Sequence, residues 1–187
     1  GTTWQQTLED VLRGQMDGPV FPVEWEKISS EGPCMDFRPI YDRFKMPLGE
    51  GHMFVQCRRL HHPNETYGWS LEFGHKIFVF ATDTEPFAGG PDPVLVELAQ
   101  GADVLYLDCQ YSEEQYLGKV GGVPRLGWGH GYDKWCAEVA RAANVKKLYL
   151  GHHDPASTDE QISALVNNAR QIFPESYGAY DGLEINI

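Results

Sequence analysis

The chain of 187 residues has no apolar run approaching the roughly 20 residues that a membrane-spanning helix needs. Its start, Gly1-Thr2-Thr3-Trp4, has neither the basic opening nor the apolar stretch of a secretory signal. No membrane association is expected, and the chain reads as a cytoplasmic protein. Basic residues are scarce, 15 Lys and Arg against 27 Asp and Glu, and the formal charge of -12 repels a polyanion. Nucleic acid is therefore a disfavoured partner unless Arg58, Arg59, Lys146 and Lys147 cluster in space. Cysteine is limited to Cys34, Cys57, Cys109 and Cys136, with no paired spacing, which argues against a zinc knuckle or a redox pair and for reduced thiols. Internal repeats, low-complexity tracts and linkers are also missing. Residues 1–187 are expected to form a single domain, and 42% hydrophobic residues suffice for a real core.

Leu8, Val11, Leu12 and Met16 recur at helical spacing behind Thr2 or Thr3, either of which could cap a first helix. From Asp17 to Pro47, glycines and prolines leave room only for short extended pieces such as Met35 to Arg38. Strand alternation begins at Met53, Val55 and Cys57 and runs to Leu60. Tyr67–Phe73 and Lys76–Ala81 follow as strands, joined by a tight hairpin at Gly74-His75. Beyond Asp83 the pattern changes to alternating helix and strand. Asp92-Pro93 opens a short helix over Val94–Ala99, Val104–Leu107 reads as a buried strand, and Ser112–Leu117 as a helical turn. Tyr132–Ala143 is a helix leading into the strand Lys147–Leu150. Ser157 to Glu160 has capping-box spacing for a last helix through Phe173, and Leu183–Ile187 looks like a closing strand.

Three segments place imidazole or carboxylate at or just past a strand end: His61-His62-Pro63, Asp83 after Lys76–Thr82, and His152-His153 after Leu148–Leu150. Strand ends are rigid platforms, and this donor set suits zinc, iron or manganese. Two such ions roughly 3.5 to 4 Å apart can act together on one substrate. His52 and His75 read as surface residues in a polar loop and a turn, and Trp69, Trp128 and Trp135 as core or pocket wall.

His62, then Gly68-Trp69, Phe80-Ala81-Thr82-Asp83-Thr84, Ala102 to Asp108, Gly127-Trp128-Gly129-His130 and Lys147 to His152 together resemble the later motifs of the metallo-β-lactamase superfamily. The similarity is greatest to its ribonuclease Z and phosphodiesterase branch and extends from about Leu8 to Ile187. The resemblance implies an α/β fold, the αββα sandwich of that family, here its carboxy-terminal half plus preceding strands. It also implies two divalent metal ions, zinc first and iron or manganese also fitting. By position, His62 would be the histidine ligand of the first metal, Asp83 the bridging carboxylate and His152 the last ligand of the second. His61 and His153 are the competing candidates, with the distance to Gly68 favouring His62 and the strand end favouring His152. His130 would protonate the leaving group, steered by Asp108, which stands where ribonuclease Z has glutamate. Asp154 and Asp181 are candidates for orienting ligands.

The family's dominant signature, His-x-His-x-Asp-His, is absent from these residues. His62, Asp83 and His152 alone offer too few donors for two ions. The domain is thus expected to be incomplete at its amino terminus, with the remaining ligands and a second sheet supplied by an amino-terminal half, by a second chain or by a homodimer partner. An apolar sheet face should then lie open. The implied activity is that of a metal-dependent hydrolase of a small phosphodiester; only 20 residues lie between His62 and Asp83, too few for a tRNA-holding arm. A lactone or other acyl ester is the enzymatic alternative, and a metal-free binding or scaffold module the non-catalytic one.

Overall fold

Among the described residues, seven strands lie in one sheet in the order in which they occur along the chain. The computed structural model describes residues 7–16, 25, 27, 37–49, 51–87 and 90–187. These fall in two units, Gly1–Ile40 and Tyr41–Ile187. In the first, helix α1 spans Leu8–Gln15. Its cap is Thr7, not Thr2 or Thr3, which lie outside the described residues. Thr7 Oγ1 accepts the Asp10 N–H (3.1 Å), and Asp10 Oδ2 accepts the Thr7 N–H in return (2.9 Å). In the same unit the Arg13 guanidinium stacks on Trp25, which packs against Phe37. Met35 and Asp36 lie outside the described residues, and Phe37–Ile40 carries no strand.

The sheet belongs to the second unit. Its strands are β1 (Lys45–Leu48), β2 (Met53–Arg59), β3 (Tyr67–Phe73), β4 (Lys76–Ala81), β5 (Val104–Asp108), β6 (Lys147–Gly151) and β7 (Ser176–Gly178). The first four pair antiparallel; β4 to β7 pair parallel. The change of direction follows from the connections, because a two-residue hairpin can only reverse the chain, whereas a parallel neighbour requires a crossover. Those crossovers carry α2 (Pro93–Leu98), α3 (Glu113–Tyr116), α4 (Asp133–Ala142) and α5 (Asp159–Arg170).

Four local expectations are corrected. Strand β1 begins within the stretch assigned to loop and contains Pro47, tolerated because β1 is an edge strand among the described residues. The last capping box is shifted by one residue, Thr158 with Gln161. Its helix ends at Arg170, short of Phe173. Leu183–Ile187 forms no strand; Ser176–Gly178 takes the place beside β6. Leu183, Ile185 and Ile187 do alternate half-buried with exposed neighbours, so the pattern reports contact with a surface rather than a ladder.

Register divides the sheet into two unlike faces. Val79, Ala81, Leu105, Leu107, Leu148 and Leu150 point to the helices and are buried with Leu95, Leu98, Trp135, Val139 and Leu165. Each such leucine contributes about 1.5–3 kcal/mol of hydrophobic stabilisation. On the opposite face Trp69, Phe80, Tyr106, Tyr149 and Tyr177 stand side by side across five strands. Phe80 stacks on Tyr106 (4.9 Å) and Tyr149 on Tyr177 (5.2 Å). Phe80 is 38% exposed and the other four are half-buried. No helix among the described residues is long and apolar enough to cross a membrane.

Candidate metal and acid–base site

The carboxyl ends of β4, β5 and β6 converge because these strands are parallel and in register, Ala81 beside Leu107 and Asp108 beside Gly151. Asp83 lies two residues past β4, Asp108 is the last residue of β5, and His152 directly follows β6. His130 enters from the loop that precedes α4.

Asp108 is fully buried and organises the group. Its Oδ2 accepts the Asp83 backbone N–H (2.9 Å) and faces His130 Nδ1 at 3.0 Å; its Oδ1 accepts the Gly131 N–H (3.1 Å). Since the carboxylate can only accept, His130 Nδ1 carries a proton in this contact and Nε2 is the ring nitrogen turned away from Asp108. The bond to Asp108 raises the His130 pKa, and burial opposes it. The thiol of Cys136 donates to the Asp108 carbonyl (3.0 Å), and burial pushes that thiol's pKa well up. Cys57, Cys109 and Cys136 are free thiols.

Ligand atoms of Asp83, His130 and His152 all lie within 4.8 Å of one another. A carboxylate oxygen and two imidazole nitrogens at that separation fit one zinc, iron or manganese ion. Asp83 and His152 both have φ of 55°, in the left-handed region that side chains with a Cβ seldom occupy. Surrounding bonds hold Asp83 there, because its N–H goes to Asp108 and its carbonyl accepts the Thr66 hydroxyl (2.9 Å). Backbone strain held in this way accumulates where side chains must be aimed.

The competing histidines separate by geometry. His153 Nδ1 faces the Cys109 carbonyl (3.1 Å), away from the cluster, and its buried Nε2 has no partner among the described residues. His61 Nδ1 faces the Glu85 carbonyl (3.3 Å), and its ring meets Phe87 edge-on. His62 is half-buried, with Nδ1 accepting the Asn64 N–H (3.1 Å) and its ring 6.3 Å from that of His130. It therefore stands beside the Asp83, His130 and His152 group, outside the 4.8 Å set. His52 and His75 are exposed, Trp135 is core and Trp128 is half-exposed.

Further contacts around the site follow from the tertiary structure and not from any spacing in the sequence. Glu85 is 4% exposed, and its Oε2 accepts the Gly127 N–H (2.7 Å), tying the loop that carries His130 to the segment that carries Asp83. Gly129, at φ 87°, packs so closely on the His62 ring that a Cβ would overlap it. A pocket of about 320 Å³ opens beside His152, walled by Tyr106, His153, Tyr180, Leu183 and Ile185. Asp181 lines the same pocket. Asp154 is bonded locally, accepting the Ala156 N–H.

A mixed sheet that gathers carboxylate and imidazole at its parallel strand ends, with helices over one face, is an α/β domain with a candidate metal site. The model of the beta-lactamase superfamily domain matches residues 9–153, and the chain belongs to the metallo-β-lactamase superfamily. Ribonuclease Z of Thermoplasma volcanium is 34% identical over 114 residues, covering 61% of this chain and 33% of that protein. The chain thus spans about a third of the length of that curated relative. Among solved structures, the metallo-beta-lactamase fold protein YhfI from Bacillus subtilis superposes with a TM-score of 0.58 at 18% identity, over 74% of this chain and 51% of that one. Zn(2+)-bound PqqB from Methylobacterium extorquens gives 0.54 at 17% identity, over 79% and 51%. At these identities the likeness is one of fold.

Proposed function

We propose that the chain supplies part of a metal-dependent hydrolase acting on a small phosphodiester. The observation that carries this reading is the convergence of Asp83, His130 and His152 around the buried Asp108. Asp83 and His152 would hold a divalent ion, zinc first, with His62 placed to serve a second ion whose other donors lie outside these residues. A bound ion supplies Lewis acidity and stabilises negative charge developing on the substrate. His130 holds a proton for the leaving oxygen, because Asp108 fixes the ring's orientation and favours the charged form. The ribonuclease Z relative supports phosphodiester chemistry, while the charge of -12 favours a small substrate over a long RNA.

The aromatic face across β3 to β7 is where a second sheet would pack, from an amino-terminal half, a separate chain or a second copy. Its support is the exposure of Phe80 and the row of rings in register with it.

The test is to supply zinc, iron or manganese to the purified protein, count bound metal by elemental analysis, and measure hydrolysis of bis(4-nitrophenyl) phosphate. Metal-dependent turnover that Asp83→Ala abolishes together with metal binding is expected. His130→Ala should keep the metal and lose turnover; loss of both would make His130 a ligand instead. No metal uptake from any of the three ions would leave the metal-free binding module as the better account.

A further inference from the structure

Between α3 and His130 the chain runs Leu117-Gly118-Lys119-Val120-Gly121-Gly122-Val123-Pro124-Arg125-Leu126-Gly127-Trp128-Gly129. Leu117, Val120, Val123, Leu126 and Trp128 are each between 47% and 71% exposed, so the loop turns its apolar side chains outward. It is nevertheless held in shape. Gly118, at φ 72°, lies so close to Pro124 that no side chain would fit; the Arg125 N–H bonds the Tyr116 carbonyl (2.9 Å); and Gly127 is tied to Glu85. Arg125 itself is half-buried, with its guanidinium 4.4 Å from the Trp128 ring centre and 5.7 Å from that of Tyr111. Tyr111 in turn meets His130, with ring centres 6.3 Å apart.

In a chain with 27 acidic side chains, a half-buried arginine would ordinarily pair with one. Arg125 pairs with none among the described residues: its contacts are two aromatic faces. Stacking occupies the faces of the guanidinium and leaves its in-plane N–H groups open, and those groups match the two oxygens of a phosphate or carboxylate. The exposed apolar side chains on either side suit an uncharged, planar body attached to that anion.

We propose that Arg125, clamped by Trp128 and Tyr111, forms an anion subsite beside the candidate metal cluster. It takes a phosphate or carboxylate group borne on an apolar, aromatic-sized substrate. This deepens the hydrolase reading and rests on it for the word substrate, but binding at Arg125 can be measured without any metal.

The probes are phenylphosphonate, phenylacetate and benzyl alcohol, titrated calorimetrically into the purified chain without added metal. The expected result is that at least one of the two anions binds, benzyl alcohol binds at least tenfold more weakly, and Arg125→Met lowers the anion's affinity at least tenfold. Arg125→Gln and Trp128→Leu should weaken it too, the second by removing the clamp, each with an unchanged circular dichroism spectrum. Preference for phenylphosphonate makes the source a phosphate ester, and preference for phenylacetate a carboxylate. The proposal is overturned if neither anion binds, if benzyl alcohol binds as well as they do, or if folded Arg125→Met and Arg125→Gln bind like the parent. Absence of turnover in the metal-loaded protein would count against the hydrolase reading and leave this result standing.

Discussion

Gly129 lies flat against the imidazole of His62, 67 positions earlier in the chain, at a backbone angle of φ 87° that itself favours glycine. One position thus serves two purposes: it lets the loop carrying His130 close onto the strand-end turn, and it sets the space around a candidate ligand. Gly129→Ala should disturb both. A left-handed alanine costs about 1–2 kcal/mol, and the methyl group must displace the ring. The expected result is a lower melting temperature and zinc affinity reduced by about tenfold or more, the scale of outer-shell changes at metal sites. A variant that matches the parent in metal titration and thermal melt would show that His62 can yield its place freely.

Asp108→Asn tests how His130 is held. The amide can still accept from a backbone N–H, but it withdraws the charge that favours protonated His130. With metal loaded, kcat on bis(4-nitrophenyl) phosphate should fall by about a hundredfold or more, within the range assigned to general acid catalysis. Metal content should be retained. Equal kcat in the two proteins would remove His130 and Asp108 from the acid's role.

Glu85 offers a graded series. Its carboxylate accepts the Gly127 backbone N–H, while its own N–H bonds the His61 carbonyl (2.9 Å) regardless of side chain. Glu85→Gln keeps an acceptor and should lose little; Glu85→Ala frees the loop and should lower kcat by about tenfold, as expected when one charge-assisted bond worth roughly 1.5–3 kcal/mol is removed. Steady-state kinetics on both variants make the comparison, and an alanine variant as active as the glutamine one would sink it.

Asp103 governs acid stability at a distance from the site. It accepts from Lys146 Nζ (2.8 Å), the Ile77 N–H (3.0 Å) and Lys76 Nζ (3.4 Å), joining the starts of β4, β5 and β6. The Lys146 bond leads in holding its pKa down to about 2, well under the value of about 3.9 for an unfolded aspartate. A depressed carboxylate pKa stabilises the fold above the unfolded value, and that contribution is lost as pH falls from about 4 through about 2. Urea unfolding of the parent and Asp103→Asn should therefore differ most at neutral pH and converge between pH 4 and 2. A constant gap across that interval would exclude the linkage.

Elements with strong local signals were legible in the sequence. The β3–β4 hairpin, the Asp92-Pro93 helix start and the buried strands β5 and β6 rest on turn chemistry, capping and unbroken apolar runs, all of which act over a few residues. Strand β1 was not legible, because Pro47 argues against a strand until its edge position is known. Leu183–Ile187 misled for the converse reason, since alternation records one-sided contact and here the contact is a pocket wall.

At the site, the ordered appearance of His62, Asp83, Asp108, His130 and His152 was readable because each stands at a strand end or in a motif of fixed order. Their grouping was not. His152 and His153 are adjacent and chemically identical, and only the left-handed turn after β6 sends one towards Asp83 and the other to the Cys109 carbonyl. The contacts of Glu85, Gly129 and Arg125 were invisible for the same cause: their partners lie 42 and 67 positions away, or are aromatic faces whose direction no spacing encodes.

Sequence alone determined the α/β class, the order of most strands and helices, the chemical kinds of donor and the superfamily, because those follow from short-range propensity and motif order. Tertiary structure decided which imidazoles share a site, which loop braces them and that Arg125 faces rings instead of carboxylates. Those outcomes depend on side-chain direction at the ends of parallel strands, where a single left-handed residue re-aims a group by more than any local pattern can register.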